Sequence, residues 1–146
     1  MKIELCTAPF EPTQALAAYQ ESLTDLRGRY GATVVFIGTM RDFNEGSSIQ
    51  SMTLEHYPGM TEQQLQQIVT AAQQRGEVLD VLVMHRVGMV YPDDPILLVA
   101  VWSAHRAAAF EVCRAIVEGL KAQAPFWKKE TLSDGAQRWV EKNTAG

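Results

Sequence analysis

Apolar positions along this chain recur with two periods, and the switches between them mark its elements. Ile3 and Leu5 alternate with charge, which predicts a short edge strand over residues 2–7. Leu16, Tyr19, Leu23 and Leu26 then recur at helical spacing, with Thr13 read as the N-cap and Gly28 as the stop. The β-branched run from Gly31 to Met40 predicts a buried strand, followed by a polar loop from Arg41 to Ser48. Ile49 to Tyr57 alternates as a strand antiparallel to that one. Thr61 and Gln64 fit a capping box for a helix whose apolar face is Leu65, Ile68, Val69 and Ala72, ending at Gly76. Val78 to Val87 is a third strong strand and residues 88–95 a turn region. Ile96 to Trp102 is apolar almost throughout, as a strand central in its sheet would be. Ser103 caps a last helix carrying Cys113, Ile116, Val117 and Leu120, and Pro125 stops it. Trp127–Leu132 and Gln137–Val140 pair as a hairpin around Ser133-Asp134-Gly135, and the polar tail from Glu141 to Gly146 frays.

Strands and helices mixed in this way over 146 residues predict a single α+β domain, residues 1–146. Hydrophobic residues at 47% and charged residues at 21% describe a globular chain with a core. A formal net charge of -4 argues against nucleic acid or an anionic membrane as partner, so any basic cluster acts locally, on a small anion. Cys6 and Cys113 belong to no metal-ligand or redox spacing, and no metal or cofactor is expected. Neither the apolar run of a signal peptide nor the ~20 apolar residues of a membrane span is present, which predicts a cytoplasmic protein.

The candidate chemistry lies at strand and helix ends. Lys121, on the last helix, and Lys128, beyond the Pro125 break, can converge from different elements. Two ammonium groups held together, partly buried beside Phe126 and Trp127, lose protons more easily and can act as acid, base or nucleophile near neutral pH. Read alone, both lysines equally solvate a surface. Arg41, where its strand emerges, is placed to grip a carboxylate or phosphate, or else pairs with Asp42 or Glu45. His105 and Arg106 fall in a first helical turn, where the helix dipole disfavours cations; an external anion, or surface pairing, accounts for them. His56 reads as packing beside Tyr57.

Five separated motifs occur in order: Gly38-Thr39-Met40-Arg41, Leu54-Glu55-His56-Tyr57-Pro58-Gly59-Met60, His85-Arg86-Val87-Gly88, Ser103-Ala104-His105-Arg106, and Leu120-Lys121 followed six residues later by Trp127-Lys128-Lys129-Glu130. Together they resemble the large, catalytic subunit of molybdopterin synthase, from about residue 31 to residue 140. The resemblance implies an α/β hammerhead-type fold with an additional antiparallel β-sheet, and a homodimer within a heterotetramer. A small ubiquitin-like sulfur-carrier subunit would dock at each end and insert its C-terminal Gly-Gly tail as a thiocarboxylate. The implied reaction converts cyclic pyranopterin monophosphate, a pterin phosphate, to molybdopterin by inserting two dithiolene sulfurs. The resemblance also implies Lys121 and Lys128 as catalytic residues, and Thr39, Met40, Arg41, His105, Arg106, Lys129 and Glu130 as substrate-binding residues. The alternative is a non-catalytic anion-binding or scaffold protein of the same fold.

Overall fold

The computed structural model describes residues 1–123 and 126–140. The helix stop read at Pro125 and the fraying tail read at 141–146 lie outside the described residues. Among the described residues, nine strands and three helices follow in the order β1 (Lys2–Cys6), α1 (Pro12–Ser22), β2 (Ala32–Thr39), β3 (Phe43–Asn44), β4 (Ser47–His56), α2 (Met60–Gln73), β5 (Asp80–Arg86), β6 (Gly88–Val90), β7 (Pro95–Ser103), α3 (Arg106–Gln123), β8 (Phe126–Leu132) and β9 (Gln137–Trp139). A 3-10 turn, Thr24–Leu26, follows α1.

The first sheet runs β1-β5-β7-β2, with β1 parallel to β5 and the other pairs antiparallel. Its middle strands are apolar on both faces because both faces are covered. Val81, Val83, Leu97, Val99 and Val101 pack under α2 and α3, whereas Leu82, Met84, Leu98, Ala100 and Trp102 pack under α1. Trp102, near the C-terminal end of β7, stacks on Tyr19 of α1 at 5.5 Å and donates its indole N–H to Gln20. Each fully buried Val or Leu contributes roughly 1.5–3 kcal/mol, so this double layer dominates the stability. The second sheet, β3-β4-β8-β9 with β6 on β4, is the additional antiparallel sheet of the expected α+β fold.

Several boundaries differ from the sequence reading. β2 is an edge strand, not a buried one, and Val35 and Ile37 are 37% and 41% exposed. β4 pairs with β8 rather than with β2, because Glu45 and Gly46, both at positive φ, turn the chain into a tight β3–β4 hairpin first. The stretch read as a turn after Gly88 contains β6. Helix α1 begins at Pro12, whose fixed φ suits the first helical position, and it ends at Ser22, well before Gly28. Thr13 instead bonds its neighbour Glu11. Gly59, not Thr61, caps α2: the Glu62 carboxylate accepts the Gly59 N–H at 2.6 Å, while the Thr61 hydroxyl accepts the N–H of Tyr57.

These pairings bring three chain ends to one place. β2 finishes at a register shift between Gly38 and Thr39, and Met40 is anchored to the turn before β7 by backbone bonds to Asp93 and Asp94. The C-terminal end of α3 and the start of β8 meet it there.

Candidate functional site

A cavity of about 100 Å3 lies between the two sheets. Its walls are Thr39, Met40 and Arg41 from the end of β2, Phe43 and Asn44 from β3, Met52 from β4, Ile96 from β7, Lys121 from α3, Lys128 and Glu130 from β8, and Val140. A smaller recess of about 30 Å3 shares Ile96, Lys121 and Lys128 with it and ends at Gly38, His85, Leu120 and Phe126. The lysines therefore face both spaces.

Alternation along β8 explains which of its residues arrive. Lys128 and Glu130 are two apart and point to the same side of the sheet, opposite Leu54 and Met52 of β4. Lys129 points to the other side, where its ammonium sits 5.7 Å from the Trp139 ring centroid. The structure thus places Lys129 away from the cavity that the resemblance had it lining.

His105 and Arg106 are also elsewhere. They are exposed at the start of α3, with the His105 N–H held by the Ser103 hydroxyl at 3.3 Å. Lys121 is fifteen residues further along the same helix, which at 1.5 Å per residue is about 22 Å away. Within one chain they do not reach the cavity.

Burial sets the proton affinities here. The Lys128 ammonium is pushed down to about 8, first by burial and then by Lys121, with Glu130 opposing. Lys121 is lowered by burial and by Arg41, with Glu118 opposing. His85 is held down to about 4, chiefly by burial, with both lysines adding to it. Its ring stacks on Phe126 at 3.9 Å and its Nδ1 lies 2.7 Å from the Arg86 carbonyl. A carbonyl only accepts, so Nδ1 carries the proton and Nε2 is left as an acceptor.

Glu130 lines the cavity but is already engaged: one oxygen accepts Asn44 Nδ2 at 3.0 Å and the other accepts Arg138 Nε at 2.9 Å. Arg41 is exposed at the mouth, and Glu45, its expected alternative partner, turns towards Arg138 at 3.9 Å instead. Phe43, Asn44, His85 and Arg138 were not read as site residues. The resemblance pointed to Glu130, but nothing in the sequence pairs it with residues 86 positions before and eight after.

An exposed arginine beside two lysines of lowered proton affinity, in a pocket walled by both polar and apolar side chains, is an arrangement of the kind that suits a small anion. The comparisons name the family. The MoaE protein family model matches residues 5–123, and the chain belongs to that family. A molybdopterin synthase catalytic subunit from Ralstonia nicotianae is 56% identical over 79% of this chain and 65% of that relative. One from Pseudomonas aeruginosa is 45% identical over 97% of this chain and 91% of its own length. The structure of a molybdopterin biosynthesis MoaE protein from Burkholderia ambifaria superposes with a TM-score of 0.79 at 39% identity, covering 99% of this chain and 92% of that one.

Proposed function

We propose that this chain is the catalytic subunit of a molybdopterin synthase and that its cavity is where sulfur is transferred. The observation that carries the reading is the convergence of Lys121 and Lys128, from α3 and β8, on one pocket closed by the β2 end. The partner is a small ubiquitin-like subunit whose C-terminal thiocarboxylate brings the sulfur. That division of labour suits a chain whose two cysteines are both buried. The substrate is a pterin phosphate, with Arg41 as the planar, two-pronged donor to its phosphate. Sulfur attack on the pterin's carbon skeleton requires proton movement and stabilisation of a departing oxygen. Lys128, with a proton affinity near neutral pH, acts as the acid/base, and Lys121 clamps the thiocarboxylate.

His105 and Arg106 enter this account through a second copy. β2 presents an unpaired edge with Val35 and Ile37 exposed. Its Ala32 end is registered with Ser103 and its Thr39 end lies at the cavity. Antiparallel pairing of two such edges about a twofold axis carries the partner's helix start to the Thr39–Arg41 end of this chain. Both basic residues then face the anion, in a homodimer.

Single-turnover transfer from a preformed thiocarboxylate tests the lysines: Lys121→Ala and Lys128→Ala should each slow it by 100-fold or so. Unchanged rates in both variants contradict the assignment. Complementation tests the second copy, since mixing Lys128→Ala with Arg106→Ala chains should restore one intact site per mixed dimer. No recovery would mean that Arg106 does not serve the partner's site. A non-catalytic anion-binding protein would bind phosphate and show no dependence on the small subunit.

A further inference from the structure

The Glu130 carboxylate is 4% exposed and lies on the same face of β8 as Lys128, two residues away. A buried acid beside a buried ammonium would ordinarily close an ion pair with it. Here both oxygens are held from other elements, by the Asn44 side chain on β3 and by the Arg138 guanidinium on β9. Arg138 also donates from Nη2 to the Asn44 carbonyl at 2.7 Å and lies 3.9 Å from Glu45. Its three contacts tie the β3–β4 hairpin to β8 and β9. The tied parts are the cavity walls: Phe43 and Asn44 on one side, Lys128 and Glu130 on the other.

We propose that Arg138 is a positioning residue for the reaction, which with Asn44 holds the Glu130 carboxylate in the pocket wall and so keeps it from pairing with Lys128. The inference rests on the sulfur-transfer reading of the cavity. A guanidinium fits the task because its planar fork can reach a carboxylate and a carbonyl at once, which an ammonium on a flexible stem does not do in one geometry. The charged and titratable groups facing Lys128 are Lys121 from α3, Arg41 from the β2 end, Glu130 from its own strand and the neutral His85 from β5. Of these Glu130 alone favours the ammonium form, and Arg138 is its counter-charge. Removing Arg138 frees the acid to turn towards Lys128 and removes a positive charge from its surroundings. Both changes strengthen the hold of Lys128 on its proton.

The test reads Lys128 directly. Trace acylation of the wild-type protein across pH, followed by peptide mass spectrometry, gives the midpoint at which Lys128 becomes reactive. In Arg138→Gln that midpoint should rise by about one unit. In the double variant Arg138→Gln, Glu130→Gln it should fall back to the wild-type position or below. The limb of the pH–rate profile for sulfur transfer that Lys128 sets should move with it. A merely structural arginine would lower the melting temperature and leave the midpoint where it was, and that result overturns the proposal. Should Arg138→Gln fail to fold by circular dichroism, Asn44→Ala, which removes the other donor to Glu130, is held to the same criterion. A wild type that transfers no sulfur overturns the reading of the cavity, while the labelling midpoints still decide the role of Arg138.

Discussion

Replacing Lys128 by methionine removes an ammonium group from a pocket that disfavours it and leaves a stem of similar length to fill the space. Its proton affinity in the folded chain is pushed down to about 8 from the ordinary 10.5, first by burial and then by Lys121. A drop of about 2.5 units at ~1.4 kcal/mol each comes to roughly 3 kcal/mol. The side chain still reaches solvent in part, so about 2 kcal/mol is the working figure. The sign follows from proton counting. Between about pH 8 and 10.5 the unfolded chain holds this proton and the folded chain has released it, so wild-type stability climbs with pH across that window. Below about pH 8 the full penalty is in force. Lys128→Met should therefore be more stable than wild type by about 2 kcal/mol at pH 7, or roughly 4–8 °C in melting temperature for a domain this size. The advantage should shrink steadily towards pH 10, and the same variant should lose sulfur transfer. Urea melts at pH 6, 8 and 10, at fixed protein concentration, measure the difference. A gap that stays constant across pH, or a variant less stable at pH 7, refutes the reasoning.

Three further outcomes follow from the same geometry. His85, held neutral down to about 4, should make wild type lose stability as pH falls from about 6.5 to 4, because the unfolded chain takes up that proton first; His85→Phe, which keeps a ring against Phe126, should move the acid-unfolding midpoint down when followed by circular dichroism. Gly119→Val should destabilise the chain by about 1–3 kcal/mol in urea, because a Cβ at that position meets Ile68 Cγ2 at 2.8 Å where α2 and α3 touch. Cys113, buried and pushed up to about 11, and Cys6, also buried and raised, should react with a thiol reagent only at the rate of unfolding, read as absorbance against time.

How much could be read from the sequence depended on how local the cause was. The central position of β7 followed from its unbroken apolar run, and the β8–β9 hairpin from its turn residues, since both signals lie within the strands themselves. The partner of β4 was misread because adjacency in sequence favoured β2, while the choice of β8 is made some eighty residues later. Edge or centre cannot be told for β2 from its own β-branched composition; it depends on which side β7 occupies. The two helix starts were each misplaced by two residues because Pro12 and Gly59 act through backbone geometry, ahead of the hydroxyls that resemble caps. At the site, the meeting of Lys121 and Lys128 was legible because the sequence puts one on a helical pattern and the other on a strand pattern with Pro125 between them. Lys129 was carried along by sequence neighbourhood, although strand alternation sends it to the opposite face. The Asn44–Glu130–Arg138 network joins three strands that only the folded sheet brings together.

The most direct test of the central claim is reconstitution. Purified chain, cyclic pyranopterin monophosphate and a thiocarboxylated ubiquitin-like partner are mixed, and the pterin product is weighed by mass spectrometry. The expected product has gained two sulfur atoms, forms only when the partner carries its thiocarboxylate and is nearly absent with Lys128→Ala. A pterin left without sulfur, while the partner is bound and its thiocarboxylate intact, would contradict it.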